Sequence, residues 1–333
     1  MARDERDGHR QEMLRHLAGI VEVSMLFTAR NLASSLLLAV IIASVGCSGP
    51  QYQQIRLADE QSEQQYVTSQ RGIVPIRVAV AGVLSPRETR RGYQELISYI
   101  GEKLGRPVEL VQRRTYAEIN DLVRSGGVDL AFVCGGAFIE GEKDFGMELL
   151  LAPQMRGQTT YFSYIIVHRD KDAQRVEDLR ASSFAFSDPL SNSGRRAPTY
   201  ALWLIGETPE SFFRKSVFTY SHDNSIQAVA DKVVDAAAVD SLVYDYTIAR
   251  NPQYSGKTRI IDRLGPYGIP PVVVHPRLSS QFKDQFTSVL SGMHRDERGR
   301  TILENLLIDR FVTLDGQAYD SMRQMANVVR WQR

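Results

Sequence analysis

The sequence predicts an α/β fold with two lobes, each built on a mostly parallel sheet flanked by helices. From Ile73 onward, strand patterns and helix patterns alternate, which is typical of parallel sheets covered by helices on both faces. The chain has 333 residues, of which 43% are hydrophobic and 24% charged, so it can bury the cores of two lobes. The stretch YFSYIIVH at residues 161–168 predicts a strand long enough to pass from one lobe into the other.

The first lobe begins with the strand pattern IVPIRVAVAG and the helix that follows it. Apolar residues of this helix recur on one face, and Gly105 stands where helices commonly end. PVELVQR predicts a second strand, residues 116–124 a short helix, and VDLAFV at residues 128–133 a third strand. The glycine pair after that strand predicts a loop over residues 134–138, at the end of the sheet where ligands bind in such folds.

The second lobe follows the crossing strand with a further α/β series. SSFAF predicts a strand that ends at Phe186, and residues 195–205 form a predicted helix that tolerates Pro198 only in its first turn. Two more pairs of strand and helix follow, the last being DAAAV and a helix over residues 241–250. PPVVVH and three helices complete the chain, and we expect them to return to the first lobe.

These patterns divide the chain into four parts. We expect a leader and signal peptide over residues 1–47, a polar tether over 48–73, a first lobe over 74–165 together with 264–333, and a second lobe over 166–263. The tether is rich in glutamine and has too few apolar residues to pack. Two strands that cross between the lobes would form a hinge.

The leader carries an export signal. Residues 31–45, NLASSLLLAVIIASV, are apolar and uncharged, too short for a membrane span of about 20 residues but suited to a signal-peptide core. The motif SVGC at residues 44–47 looks like a bacterial lipobox, so we expect cleavage before Cys47, lipidation of its thiol and a lipid anchor on the periplasmic or extracytoplasmic face. Because residues 1–24 are unusually charged for an export signal, Met25 is the more typical start. The alternative is an uncleaved N-terminal anchor.

Charge and cysteine content exclude several classes of function. The 40 basic and 39 acidic residues give a net charge of +1, so no overall field attracts nucleic acid or an anionic membrane. With Cys47 lipidated, the second cysteine, Cys134, has no disulfide partner, and we expect it to be a small buried residue. The six histidines show no metal-binding spacing, and neither a metal nor a cofactor is predicted.

The stretch SDPLSNSG at residues 187–194 is the main candidate for a ligand site. It joins a predicted strand to a predicted helix, and hydroxyl groups beside the unpaired N–H groups of a helix N-terminus favour anion binding. His222 and Asp240 follow neighbouring strands and could converge on the same cleft. The alternative role of the serines is an ordinary N-cap, and that of Asp240 is capping of the helix over residues 241–250.

Two arginines lie in the first turn of the helix after this stretch, where cations oppose the helix dipole by up to about 1 kcal/mol each. Arg195 and Arg196 could draw anions toward the cleft. The preferred interpretation is that both are exposed on a solvated face.

Several separated motifs resemble, in order, those of one known family. They are VDLAFVCGGAF, YFSYIIV, SDPLSNSG with Pro198 beyond it, SHDNSIQAV, VDAAAVDSLVYD, IPPVVVHPRL and GRTILENLLIDRF. From about Val74 to Val329 the chain resembles the bacterial solute-binding proteins of phosphate, phosphite and phosphonate ABC importers. The resemblance implies the type II periplasmic binding fold, with the ligand between two lobes.

The resemblance also implies which residues hold the ligand. In the second lobe they are Ser191, Asn192, Ser193, His222 and Asp240; facing them from the first lobe are Ser85, Tyr116, Gly136 and Phe138. The family often has Thr at the position of Asn192 and a phenol at that of Phe138, so this chain lacks a hydroxyl donor at each. We expect these two differences to affect the selectivity among anions.

The implied function is capture of a small phosphorus oxyanion, a phosphonate, phosphite or phosphate, by a monomer that delivers it to an ABC permease. A carboxylate at Asp240 repels an anion unless the ligand offers a proton or a cation, which favours a P–OH or an ammonium group over sulfate. One alternative is a ligand-sensing lipoprotein that reports to a membrane sensor kinase. Another is a hydrolase with Ser191 or Ser193, His222 and Asp240 as its triad. Because the sequence has no G-x-S-x-G elbow, we expect binding and no enzymatic activity.

Overall fold

Strands and helices alternate along the computed structural model, which describes residues 74–329. The strands in that range are, in chain order, β1 (Ile76–Val80), β2 (Val108–Gln112), β3 (Leu130–Phe132), β4 (Glu148–Gln154), β5 (Thr160–His168), β6 (Ser183–Phe186), β7 (Lys215–Phe218), β8 (Ala236–Asp240), β9 (Thr258–Gly268), β10 (Val272–Val274) and β11 (Arg310–Val312).

The α-helices of the same range are α1 (Pro86–Leu104), α2 (Tyr116–Arg124), α3 (Gly135–Phe145), α4 (Ala197–Leu204), α5 (Pro209–Phe212), α6 (His222–Ala230), α7 (Ser241–Arg250), α8 (Gln253–Lys257), α9 (Ser280–Gly292), α10 (Glu297–Asn305) and α11 (Asp320–Val328). Single 3-10 turns occur at Val176–Leu179, Met293–Arg295 and Gly316–Tyr319. A π-helix at Asn192–Arg196 runs directly into α4.

The strands form two sheets, one in each lobe. The first sheet has the order β11-β4-β10-β3-β1-β2, and the second has the order β7-β6-β8-β5-β9. The chain leaves the first sheet between β4 and β5 and returns to it between β9 and β10. Ile269 N donates to Thr159 O at 3.0 Å, so the two crossing segments are hydrogen bonded to each other. The predicted α/β class with two lobes is confirmed.

Both sheets are mixed, which corrects the expectation of mostly parallel strands. β1 pairs in parallel with β2 and β3, and β6 pairs in parallel with β7 and β8. The pairings that involve β4, β5, β9, β10 or β11 are antiparallel. Parallel neighbours need a helical crossover. The chain enters the second sheet along β5 and leaves it along β9. These two strands are neighbours and run in opposite directions, so their pairing is antiparallel.

The changes of sheet lie outside β5 and β9. The lobe boundaries expected after residue 165 and before residue 264 fall inside these strands, although both strands lie wholly in the second sheet. The chain crosses at residues 155–159 and 269–271 instead. The expectation misplaced the crossing because a continuous apolar strand gives no local sign of where one sheet ends.

Local signals fix most helix ends. α1 ends at Gly105, whose φ of 61° is the left-handed value that glycine adopts without strain. α2 begins with a capping box between Thr115 and Glu118. The helices predicted over residues 116–124 and 241–250 are confirmed at both ends.

A helix replaces the loop expected over residues 134–138. α3 begins at Gly135, directly after the N-cap residue Cys134, and ends before Gly146 with φ of 74°. From sequence, the glycine pair predicts a loop because glycine disfavours helix interiors. In the folded chain these glycines form the first turn of α3, where a neighbouring segment packs against the backbone.

Apolar residues fill both sides of each sheet. One core packs α1 and α9 on the first sheet and includes Leu96, Ile100 and Leu290, all without exposed surface. Within the described range, no helix is long and apolar enough to cross a bilayer. The predictions for the leader, Cys47 and the tether concern residues outside that range.

Candidate functional site

The π-helix at Asn192–Arg196 stands at the centre of a buried group of polar side chains. Ser191 caps this helix, since its Oγ accepts a hydrogen bond from Gly194 N at 2.9 Å. The capping role considered for the serines is therefore present. Ser191, Asn192 and Ser193 have no exposed surface. We use the name polar cluster for Tyr116, Cys134, Ser191, Ser193, His222 and Asp240, all of which are buried.

His222, the first residue of α6, is held from two sides. Its N–H donates to Val83 O in the first lobe at 3.0 Å. Its Nδ1 accepts a hydrogen bond from Asp240 N at 3.0 Å, so the proton of the neutral ring lies on Nε2, 3.4 Å from Ser191 Oγ. Burial lowers the pKa of His222 to about 3. The imidazole is therefore neutral near pH 7 and presents an N–H donor to the polar cluster.

Asp240 ends β8 and caps α7. Its Oδ1 accepts hydrogen bonds from Leu242 N at 2.8 Å and from Val243 N at 3.4 Å, which confirms the capping interpretation. Burial raises the pKa of the Asp240 carboxyl to about 7, although these two N–H donors act in the opposite direction. Near neutral pH the carboxyl is divided between its protonated and ionised forms. It can therefore donate or accept a hydrogen bond.

The N-terminus of α3 reaches the polar cluster from the first lobe. Cys134 Sγ accepts a hydrogen bond from Asn192 N at 3.5 Å and lies 3.9 Å from Ser191 Oγ. A Cβ on Gly136 would lie 2.2 Å from Leu190 O and 2.8 Å from Asn192 N, so a glycine is needed for this approach. Burial raises the pKa of the Cys134 thiol. The thiol is neutral, and Cys134 is the small buried residue that the sequence predicted.

Several buried hydroxyl groups at this site have no hydrogen-bond partner of ordinary geometry. They are Tyr116 OH, Ser187 Oγ and Ser193 Oγ. Asn192 Nδ2 donates to Tyr161 OH at 3.1 Å. Burial raises the pKa of Tyr161, and the nearby side chains of Asn192 and Ser193 lower it. Because a buried polar group without a partner costs about 1–3 kcal/mol, these hydroxyls suit a ligand rich in acceptor oxygens.

Asp188 is a further residue at the site, and no sequence motif indicated its role. Its Oδ2 accepts a hydrogen bond from Tyr116 N at 3.1 Å, and its Oδ1 accepts one from Leu190 N at 2.8 Å. Burial raises the pKa of this carboxyl to about 6. Asp188 thereby joins the second lobe to the N-terminus of α2 in the first lobe. In the sequence, the pair Asp188-Pro189 indicates only a turn. No pattern within a few residues of this pair indicates that α2 contacts it.

Ser85 and the ring of Phe138 make contacts outside the polar cluster. Ser85 N donates to Asp223 Oδ1 at 2.8 Å, and its side chain does not cap α1. Phe138 packs edge-on against Tyr319, with ring centroids 5.0 Å apart. Phe138 N also donates to Cys134 O at 3.0 Å in the first turn of α3, so Phe138 contacts the polar cluster through its backbone.

Arg195 and Arg196 do not lie on a solvated face, so that interpretation is wrong. Arg196 has no exposed side-chain surface, and its Nη2 donates to Glu140 Oε1 of α3 at 2.7 Å. The Arg195 guanidinium lies 4.4 Å from the centroid of the Phe186 ring. An acidic partner across the cleft and an aromatic face stabilise the two cations despite the helix dipole.

The geometry argues against a catalytic triad. In a triad the carboxylate accepts the proton on Nδ1, but here Nδ1 of His222 itself accepts from Asp240 N. The proton on Nε2 also prevents this nitrogen from accepting the Ser191 proton. Across residues 74–329, no group of three or more His, Cys, Asp or Glu side chains is placed to hold a metal ion.

Comparison with known proteins gives a family match. The sequence matches the family described as "ABC transporter, phosphonate, periplasmic substrate-binding protein" over residues 78–319. The phosphate-import protein PhnD of Mycolicibacterium smegmatis is 27% identical over 198 residues, which are 56% of this chain and 61% of that protein. The chain thus matches about three-fifths of that relative's length.

Solved structures share the fold. A binding protein component of an ABC phosphonate transporter from Pseudomonas aeruginosa has a TM-score of 0.71 and 21% identity, covering 75% of this chain and 85% of that chain. PhnD1 from Prochlorococcus marinus, solved with methylphosphonate, has a TM-score of 0.70 and 18% identity, covering 76% of this chain and 97% of that chain. This similarity confirms the predicted type II periplasmic binding fold.

Proposed function

Because the chain belongs to the family of periplasmic substrate-binding proteins of phosphonate ABC transporters, we propose that its polar cluster binds a small phosphorus oxyanion for delivery to an ABC permease. Members of this family are extracytoplasmic binding proteins and not enzymes, so the expectation that the chain is not an enzyme is confirmed. The bound anion is a phosphonate, a phosphite or a phosphate.

The observation that carries the proposal is the convergence of buried hydroxyl donors on the polar cluster. Tyr116 OH from the first lobe and Ser193 Oγ from the second are donors in a site that excludes water. His222 adds a neutral N–H donor, and α3 and the π-helix both begin at the cluster. An oxyanion accepts such hydrogen bonds, and charge-assisted bonds of this kind are roughly twice as strong as neutral ones.

Asp240 supports a protonated ligand over sulfate. When its carboxyl is ionised it accepts a hydrogen bond from a P–OH group, whereas sulfate at neutral pH has no proton to donate. When the carboxyl is protonated it can donate to a P–O oxygen. Since burial raises its pKa to about 7, discrimination against sulfate should be strongest above that pH.

Titration calorimetry of the full chain tests the proposal. We expect binding heats for at least one of phosphate, phosphite, methylphosphonate and 2-aminoethylphosphonate, and weaker heats for sulfate. Replacing Ser193 by Ala removes one buried donor, so affinity for the ligand should fall by about 1–2 kcal/mol, roughly 5- to 30-fold.

Ser125→Ala is the matched control, because Ser125 is exposed at the end of α2 and its hydroxyl donates to Leu122 O. The control should bind like the wild type. Failure of all four phosphorus oxyanions to bind would refute the proposed function. Equal affinity of Ser193→Ala and the wild type would remove that hydroxyl from the site.

A sensor role uses the same site and differs only in the membrane partner. The resemblance to importer components favours a permease. Pull-down from membranes of the source bacterium with the full chain as bait distinguishes the two partners: recovery of an ABC permease supports delivery, and recovery of a histidine kinase supports a sensor role.

A further inference from the structure

The start of α1 has the residues of a capping box. Ser85 is the N-cap residue, Pro86 is the first residue of the helix, and Glu88 stands three positions after the cap. In such a box the acidic side chain accepts a hydrogen bond from the N–H of the N-cap residue. In the described part of the chain, Ser85 and Glu88 do not form this box, and Ser85 N donates to Asp223 Oδ1 at 2.8 Å instead. Asp223 therefore takes the place that the motif provides for Glu88.

α2 forms the complete box with the same spacing. Thr115 N donates to Glu118 Oε2 at 2.8 Å, and Glu118 N donates to Thr115 Oγ1 at 3.2 Å. Because cap and acid are equally far apart in α1, Glu88 can accept the Ser85 N–H whenever Asp223 is withdrawn. Glu88 and Asp223 line the same polar pocket beside the start of α1. The two carboxylates are thus alternative acceptors for one donor.

Asp223 belongs to the opposite lobe. It is the second residue of α6, whereas Ser85 lies 138 positions earlier, at the start of α1 in the first lobe. Next to this bond, His222 N donates to Val83 O at 3.0 Å, so two hydrogen bonds join the lobes here. These bonds exist only while the lobes are closed. When the lobes open about their hinge, Asp223 moves away from α1, and Ser85 N needs another acceptor.

His222 connects this contact to the polar cluster. Its ring Nε2 lies 3.4 Å from Ser191 Oγ, and its backbone N–H bonds to the first lobe. Asp223 follows it in the same first turn of α6. An anion that holds the His222 ring therefore also fixes the position of Asp223 relative to α1.

We propose that the start of α1 is a two-position switch, in which the Ser85 N–H bonds to Glu88 in the open protein and to Asp223 in the closed protein. The inference rests on the proposed function, because it assigns the switch to closure around the phosphorus oxyanion. Glu88 stabilises the open form and Asp223 the closed form. Since the closed form binds the ligand, the measured affinity depends on the balance between these two acceptors.

Removing the two carboxylates should change affinity in opposite directions. Asp223→Ala removes the acceptor of the closed form, so affinity for the tightest of the four phosphorus oxyanions should fall roughly two- to tenfold. Glu88→Ala removes the acceptor of the open form, so affinity should rise, by up to about the same factor. Calorimetry on the full chain measures both. A purely structural role of Glu88 in α1 would produce no gain in affinity.

Glu95→Ala and Asp231→Ala are the matched controls. Glu95 is exposed further along α1, and Asp231 is exposed at the C-terminal end of α6. Each variant removes one negative charge from the same helix as its counterpart and leaves the start of α1 unchanged. Both should bind like the wild type.

Amide hydrogen exchange, followed by NMR on the full chain without added oxyanion, tests the change of partner directly. In Asp223→Ala the His222 amide should exchange at least about threefold faster, because its acceptor, Val83 O, lies across the cleft. The Ser85 amide should stay protected in that variant, because Glu88 accepts its hydrogen bond. Only the double variant Asp223→Ala with Glu88→Ala should expose the Ser85 amide.

The outcomes separate the two proposals. Unchanged or weaker binding by Glu88→Ala would overturn the switch, and so would fast exchange of the Ser85 amide in Asp223→Ala alone. If an oxyanion binds and either of these results is found, the switch is wrong and the proposed function stands. If no phosphorus oxyanion binds, the proposed function fails, while the exchange measurement still decides whether Ser85 changes its partner.

Discussion

At the scale of single residues, the same burial acts in opposite directions on two neighbours. It lowers the pKa of His222 to about 3 and raises that of Asp240 to about 7, because water is removed from the charged form of each. Both groups are therefore largely or partly neutral near pH 7, which reduces their mutual electrostatic effect. The polar cluster becomes a set of neutral donors, with one carboxyl whose charge depends on pH.

Replacing Asp240 by Asn should change stability in a pH-dependent way. The unfolded carboxyl titrates near 3.8, so between about pH 4 and 7 the folded protein binds a proton that the unfolded chain releases. The wild-type free energy of unfolding therefore falls as pH rises through this range. The difference between variant and wild type should be more favourable to the variant at about pH 8.5 than at about pH 5, by on the order of 2 kcal/mol. Urea denaturation at both pH values measures it.

The variant keeps an oxygen for the two N–H groups that Asp240 caps, so the comparison isolates the charge. Asp284→Asn serves as the control, because Asp284 is exposed on α9 and its replacement should have the same effect at both pH values. The same Asp240 variant should bind sulfate better than the wild type does above pH 7. A pH-independent stability difference would contradict the raised pKa.

At the scale of elements, the lobes meet through backbone as well as side chains. The first turn of α3 packs against residues 190–192, and Asp188 accepts a hydrogen bond from the first N–H of α2. Arg196 of the π-helix is ion-paired with Glu140 of α3. These contacts bring the N-termini of α2 and α3 to the polar cluster. The close approach of α3 to residues 190–192 requires a glycine at position 136, because a Cβ there would collide with the backbone of the second lobe.

Gly136→Ala should therefore weaken binding without unfolding the protein. The added Cβ would approach Leu190 O to 2.2 Å, so α3 and the second lobe could not come as close. Alanine is also the better helix former, by about 0.5–1 kcal/mol, so α3 itself should persist. We expect affinity for the tightest of the tested oxyanions to fall at least about tenfold, and the radius of gyration of the ligand-saturated variant in X-ray scattering to exceed that of the wild type.

Gly256→Ala provides the comparison. Gly256 lies in α8, and a Cβ there would have no atom within 4 Å. This variant should match the wild type in both measurements. Wild-type affinity in Gly136→Ala would show that the close approach of α3 is not needed for binding.

At the scale of the whole molecule, the sequence pattern over residues 31–45 predicts export of the chain from the cytoplasm. The family is extracytoplasmic, which fits this expectation. Lipid anchoring through Cys47 remains a proposal that rests on the SVGC motif at residues 44–47.

Expression of the full chain in a bacterial host tests the anchor. The wild type should partition into the detergent phase and carry the added mass of a diacylglyceryl group, whereas Cys47→Ser should remain in the aqueous phase because it lacks the thiol. Cys134→Ser alters the chain's other cysteine and should still be anchored. An aqueous wild-type protein without added mass would refute lipidation.

The sequence predicted the local features well. Apolar periodicity and caps depend on residues only a few positions apart, and they gave the bounds of α2 and α7 and most of the strands, but they missed β4, β9 and β11. They did not reveal α3, because its glycine pair is a loop signal unless a neighbouring backbone requires it. The motif at residues 187–194 identified the candidate anion site by its chemistry, a helix start with hydroxyl groups.

The sequence by itself determined the fold class and the residue types of the candidate site, and it offered helix capping as the alternative role of the serines and of Asp240, because these features follow from short-range patterns. Only the tertiary structure decided the partners across the cleft. Tyr116 and Asp188 are 72 positions apart and meet only when the lobes pack. The tautomer of His222 and the raised pKa of Asp240 also depend on that packing, because it decides which distant groups touch and how completely water is excluded from them.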